Sequence, residues 1–227
     1  MTSQYASFSL NCVLICTNLS ISTDTLQQNG EAMRVTDTRY ARERSQLELA
    51  LEMIGFEART RTIRGCTGLS DDRIRKLYST YFKHAGNKQV VRRQRGKSPR
   101  RVEVFFRSPR MQMESTTLAL LMVHYGIFAL AADGTLTLAF QRHSVRFGRR
   151  LCRVFALFRT LCPDSALSFE QAWSLCLALH RHEEVALTSC AHCGGQFVYD
   201  LLSASRSVCA CCRLGAATKR AANAARA

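Results

Sequence analysis

Two Cys-x-x-Cys pairs, Cys190-Ala-His-Cys193 and Cys209-Ala-Cys-Cys212, stand fifteen residues apart near the end of the chain. That spacing matches a structural zinc site. A Cys-x-x-Cys turn points both thiolates at one tetrahedral position, and Gly194 and Gly195 permit the tight backbone that brings amides close to sulfur. Two such turns fill the coordination shell and leave no place for water or substrate, so the metal is expected to build structure and perform no chemistry. Cys211 and His192 compete as ligands. Cys212 keeps the two-residue spacing that Cys211 breaks, and His192 lies between two ligands, so both competitors are assigned to the outer surface. A disulfide pair needs an oxidising compartment, against which eleven cysteines without a credible signal peptide argue. A redox Cys-x-x-Cys normally stands near a βαβ pattern, which this region lacks. Cys152, Cys162 and Cys176, set among Leu, Val, Phe and Ala, read as buried thiols.

The remaining composition bounds the partner. A chain of 227 residues has room for one real core and a small appended module. A hydrophobic fraction of 47% with 22% charged residues excludes wholesale disorder. A formal charge of +15 and a pI near 9.8 imply a polyanion, nucleic acid first and anionic membrane second. No run of eighteen or more apolar residues occurs, so no transmembrane helix is expected. Three prolines and long apolar-periodic segments predict a mainly α fold: a multi-helix body with a helix-turn-helix-like segment and a small C-terminal zinc module built on four cysteines.

Residues 1–36 read as a disordered N-terminal extension, with no Lys or Arg before Arg34. The break in composition makes Met33 a candidate start codon. Residues 37–187 form the expected partner- and DNA-binding body, and 188–227 the zinc module with a basic, alanine-rich tail. From Asp37 a helix is predicted, with Leu47, Leu51, Ile54 and Ala58 on its apolar face. Next, Gly68 suits a turn, Ser70 an N-cap, and Asp71 and Asp72 the positive end of a helix dipole. Ile63, Leu69, Ile74 and Leu77 would form the core of this helix-turn-helix, and Arg73, Arg75 and Lys76 its basic surface. Helix, glycine turn and capped helix also recur in proteins that bind no DNA, and Arg64 stands where DNA-binding versions usually carry a small residue.

Lys83 to Arg110 holds ten Lys or Arg against one acid, Glu103. A solvated loop is the plain reading. The density, with Gly86, Gly96 and Pro99 interrupting any helix, suits a segment that follows a phosphate backbone, and Lys88, Arg92, Arg93, Arg95, Lys97, Arg100 and Arg101 are its candidate contacts. Val102 to Phe106 would anchor its far end. Further helices are predicted over Met113–Ala132, Ser144–Leu161 and Ser168–Ala186, the last burying Trp173, Leu175, Leu177 and Leu179. His180 and His182, two apart, cannot face one metal from a helix.

One pattern ties these pieces together. Glu57-Ala-Arg59, Thr67-Gly-Leu-Ser70, Arg73-Ile, Lys76-Leu-Tyr78, Ala172-Trp173-Ser-Leu175, Cys190-x-x-Cys193-Gly-Gly-x-Phe197 and Cys209-x-x-Cys212 occur in an order that resembles the FlhC family of bacterial flagellar transcriptional activator subunits. The likeness runs from about Arg42 to the C-terminus. It implies a mainly helical, cytoplasmic protein with one zinc at Cys190, Cys193, Cys209 and Cys212. It also implies an obligate FlhD-like partner, in a complex of four FlhD and two FlhC chains that binds double-stranded promoter DNA of flagellar operons and recruits RNA polymerase. The first thirty-odd residues fall outside the likeness, and the loop from Asn87 to Arg101 is more basic than the family pattern requires. The rival from another class is a zinc-stabilised RNA-binding or ribosome-associated protein. An enzyme is the third, and no nucleophile, base and orienting group assemble in the sequence to support it.

Overall fold

A computed structural model describes residues 35–83, 91–94, 101–130, 135–203 and 208–215. The extension before residue 35, with Met33, and the basic tail after 215 lie outside the described residues. The chain divides into two units, Met1–Tyr40 and Ala41–Ala227. Of the first, only the start of one helix is described, and the architecture below is that of the second.

The fold is mainly helical. Helix α1 (Val35–Gly55) is followed by two short helices, α2 (Thr60–Thr67) and α3 (Asp71–Tyr78), then a π-helical turn (Ser79–Lys83) and a 3-10 turn (Val102–Phe106). Helix α4 (Pro109–His124) leads into a two-stranded antiparallel pair, β1 (Phe128–Leu130) and β2 (Leu136–Leu138), with Phe128 opposite Leu138. Helices α5 (Val145–Leu161) and α6 (Phe169–Arg181) precede a second antiparallel pair, β3 (Val185–Ser189) and β4 (Gln196–Asp200), and a helical turn over 210–215 closes the described chain.

One hydrophobic core joins these elements. Leu49, Ala50 and Met53 of α1, Leu118 and Met122 of α4, Phe147, Leu151 and Phe158 of α5, and Leu175 and Leu179 of α6 are all fully buried. Burial of apolar area on this scale, at about 25 cal/mol per Å², is what holds short helices with few intrinsic advantages in place. Phe56 stacks on Phe169 with centroids 5.7 Å apart and meets the edge of Phe155 at 5.3 Å, which fixes the exit of α1 against α5 and α6. Helix α5 crosses α1 and α2 at Gly148, where an added Cβ would lie 2.8 Å from Leu49 Cδ2 and 3.1 Å from Cys66 Cβ.

Local signals explain the helix starts. The hydroxyls of Ser70, Ser108, Ser144 and Ser168 each accept the amide three residues on. Ser168 and Gln171 complete a reciprocal capping box. Gly68 (φ 73) closes α2, so that Ile63, Leu69 and Ile74 turn inward together. Arg59, at the head of α2, is pinned by Glu170 of α6: its amide donates to Glu170 Oε1 at 2.8 Å, and the Glu170 residue is only 3% exposed.

Three predicted elements differ. The buried stripe of α1 is Leu49, Ala50, Met53 and Ile54, with Leu47 and Leu51 half-buried, and the helix ends at Gly55 before Ala58. The helix predicted over Met113–Ala132 begins earlier, because Ser108 caps it and Pro109 supplies the first turn, and stops at His124. Gly126 (φ 64) then redirects the chain into β1. The helix predicted to reach Ala186 ends at Arg181, where His182 adopts a left-handed conformation (φ 56) and β3 follows. Val102 to Phe106 does anchor the basic segment, through fully buried Phe105.

Candidate metal centre and basic surface

Antiparallel pairing of Val185 with Asp200 through Ser189 with Gln196 brings the chain back on itself, and the tip of that hairpin is the first Cys-x-x-Cys turn. The Cys190 amide donates to the Gly195 carbonyl at 2.9 Å and the Gly194 amide to the Cys190 carbonyl at 2.8 Å. Gly194 has φ 70, a conformation a side chain would strain. The folded-back turn aims amides at sulfur: His192 N–H reaches Cys190 Sγ at 3.4 Å. The second pair adds Cys209 N–H to Cys190 Sγ at 3.3 Å and Cys212 N–H to Cys209 Sγ at 3.5 Å.

The sulfurs of Cys190, Cys193, Cys209 and Cys212 lie within 4.8 Å of one another, and Cys193 and Cys209 are 3.9 Å apart. A disulfide needs about 2.05 Å, so these are separate thiols. Metal–sulfur bonds of about 2.3 Å in a tetrahedron place sulfurs roughly 3.8 Å apart, and the group needs only slight contraction to reach that. These four residues are placed to hold one metal ion. Cys211 and His192 are exposed, as their spacing suggested. Phe197, Tyr199 and Val208 pack around Cys190 and Cys209 as a small apolar cluster of their own.

The same contacts set the protonation pattern. Amide donors, that of Cys209 foremost, bring the Cys190 thiol down to about 6. Burial first, then the neighbouring sulfurs, pushes Cys212 up, and burial pushes Cys209 the same way. A metal ion would therefore find the Cys190 thiolate ready and displace protons from Cys209 and Cys212. The cysteines of the core behave differently: burial drives the Cys66 thiol up to about 12 and raises Cys152 and Cys176 further, which leaves them inert packing groups.

The hairpin is tied to the helical body on the other side of β4. Val198 N–H donates to Thr116 Oγ1 at 3.1 Å, and Gln112 Nε2 donates to the Val198 carbonyl at 2.9 Å, so two side chains of α4 satisfy the open edge of the strand. Arg213, from the last helical turn, donates to Gln112 Oε1 at 2.5 Å. Val185 and Val198 belong to the main core, while Cys190 and Phe197 belong to the metal cluster. The 187/188 boundary set from the sequence falls within β3, which spans the two regions.

Of the candidate nucleic-acid contacts, Arg73, Arg75 and Lys76 are exposed on α3, and Arg92, Arg93 and Arg101 are exposed on the connecting segments. Lys88, Arg95, Lys97 and Arg100 lie outside the described residues. Arg75 pairs with Asp72 at 2.6 Å and Arg64 with Asp71 at 3.3 Å. Arg110, within the basic stretch, is committed to Glu114 at 2.7 Å and to the Asp164 carbonyl at 3.1 Å. Segment 91–94 sits against α3 and the turn that follows α1: Tyr78 Oη donates to the Val91 carbonyl at 2.9 Å, and Glu57 accepts from the Arg92 amide at 2.9 Å.

The sequence reading missed a second basic face, on α5. Arg146 and Arg150 lie over the Phe140 ring at 4.6 and 5.2 Å, Arg149 reaches Glu48 at 3.0 Å, and Arg153 is exposed. Its signal was arginines spaced three and four apart opposite Phe147, Leu151 and Val154. Among the described residues no helix is long and apolar enough to cross a membrane. No family model matches the chain, and no curated protein matches it.

Proposed function

We propose that this chain is a DNA-binding subunit of a bacterial transcriptional activator of the FlhC type. It would act in the cytoplasm with a FlhD-like partner, as four partner chains and two of its own, to bind flagellar promoters and recruit RNA polymerase. The observation that carries the reading is the basic surface of α3, where Arg73, Arg75 and Lys76 are exposed and Arg75 lines one crevice with Arg92 and Arg93. On this reading α2 and α3 act as a helix-turn-helix, with phosphate contacts setting register and few side chains reading bases. The order of motifs from Glu57 to Cys212 supports the family.

The metal would be a single structural zinc. Four thiolates in tetrahedral reach suit zinc or iron, and a closed site tied into a fold favours the redox-inert ion. When bound, it would cross-link the hairpin tip to residues 209–212. The chain's own residues supply the rest: amides that stabilise thiolates, and Thr116 and Gln112 that seat the hairpin on α4.

The test is competition. The chain, co-expressed with a FlhD-like protein, should retain flagellar promoter DNA against RNA of equal length, with affinity falling as salt rises at a log–log slope of about 0.9 per phosphate neutralised. Preference for RNA would transfer the chain to the ribosome-associated or RNA-binding class, and failure to co-purify with the partner would remove the family assignment.

A further inference from the structure

Glu57 occupies an unusual position. It follows the end of α1 in a left-handed conformation (φ 61) that glycine or asparagine would adopt at lower cost. Its carboxylate lies within a chain of net charge +15, where it would ordinarily pair with a guanidinium. Instead Oε1 accepts the backbone amide of Arg92 at 2.9 Å, and Oε2 accepts the side-chain amide of Gln94 at 3.0 Å. Those partners lie 35 and 37 residues further along the chain. Tyr78 holds Val91 from the other side, and Ile54, Ile74, Arg75, Val91, Arg92 and Arg93 line one narrow crevice. Among the described residues the Arg92 and Arg93 guanidiniums meet no carboxylate.

We infer that Glu57 is a positioning residue for the nucleic-acid surface: by taking up the Arg92 amide and Gln94 it docks segment 91–94 on the helical body beside α3, so that Arg92 and Arg93 extend the basic face of Arg73, Arg75 and Lys76 into one phosphate-binding surface. This rests on the DNA-binding reading above. The physical logic is that the acid is satisfied by neutral donors, which leaves the arginine charge for phosphate. Two arginines on a docked backbone also lose less entropy on binding than two on a free loop.

Positioning by Glu57 and net charge alone lead to opposite outcomes. Removing a carboxylate from a basic surface should strengthen polyanion binding if only the field matters. If Glu57 positions the segment, removing it should weaken binding. The experiment measures affinity of the full-length chain, co-expressed and purified with a FlhD-like protein, for a mixed-sequence DNA duplex across a salt series, for wild type, Glu57→Gly, Glu57→Gln and the double variant Arg92→Gln/Arg93→Gln. Thermal unfolding of each variant is recorded alongside.

Glu57→Gly should bind several-fold more weakly, with a log–log salt slope shallower by about two, the change expected for two lost phosphate contacts. Its unfolding midpoint should stay near that of wild type, since glycine relieves the left-handed backbone. The double arginine variant should show the same loss of slope, and Glu57→Gln, which keeps an acceptor for the Arg92 amide, should bind at least as well as wild type. Unchanged or tighter binding by a folded Glu57→Gly protein would overturn the inference while leaving the DNA-binding reading in place. A wild-type complex with no salt-dependent affinity for the duplex would instead refute that reading, and the inference with it.

Discussion

The amide of Val198 donates to the hydroxyl of Thr116 at 3.1 Å, and this bond joins the strand that carries the metal hairpin to a helix of the main body. Thr116 is 7% exposed and Val198 fully buried, so water cannot replace the acceptor. Thr116→Val should therefore cost about 1–3 kcal/mol, the penalty for an orphaned buried donor, and Thr116→Ser should cost little. Chemical denaturation measures the cost. Chelator titration should show the Val variant losing its metal at lower chelator concentration, because hairpin and body are one structure.

Gly148 predicts a packing limit. A Cβ there meets Cys66 Cβ at 3.1 Å and the buried Leu49 side chain at 2.8 Å. Gly148→Ala gains up to about 1 kcal/mol in helix propensity, but overpacking of a tight core typically costs about 1–3 kcal/mol. Cys66 Cβ lies beside the backbone and cannot swing away. The net effect should be destabilising and larger for Gly148→Val, read as a lowered unfolding midpoint.

Glu170 is the buried counterpart of Arg59, accepting its amide at 2.8 Å with the guanidinium Nε 4.0 Å from the other oxygen. Truncation leaves the head of α2 without that acceptor. Glu170→Ala should destabilise the fold by about 2–3 kcal/mol, and Glu170→Gln, which keeps an acceptor, by less. Equal losses for the two would show that the charge, and not the amide contact, is what matters.

Acidity should govern the metal site. The Cys190 thiol lies at about 6 against the usual 9.0, so its contribution to the metal-free hairpin is complete above pH 9 and is lost as pH falls through about 6. Cys209 and Cys212 are shifted upward, and a metal must displace their protons. Metal affinity should thus rise with pH between about 6 and 9 by at least two logarithmic units per pH unit, measurable by competition with a chromophoric chelator. A slope of one or less would contradict the protonation pattern.

Much of this was legible where a local rule decides the outcome. The ligand spacing, the Ser70 and Ser168 caps, the Gly68 turn and the buried character of Cys152 and Cys176 each follow from a few adjacent residues. The β1–β2 pair was not legible, since Leu118 to Ala132 is apolar almost throughout and the period of a short strand is lost inside it. The end of α6 was hidden because His182, not glycine, takes the left-handed position. The docking of segment 91–94 depends on a carboxylate 35 residues away, which no local pattern announces.

In the function proposed above, Cys190, Cys193, Cys209 and Cys212, and no other cysteine, hold one zinc ion that cross-links the hairpin tip to residues 209–212. Metal content of the purified full-length protein tests it directly, comparing wild type with Cys211→Ser and Cys212→Ser. One equivalent of zinc is expected in wild type and in Cys211→Ser, and its loss in Cys212→Ser. Zinc retained at one equivalent in Cys212→Ser, or lost in Cys211→Ser, would contradict it.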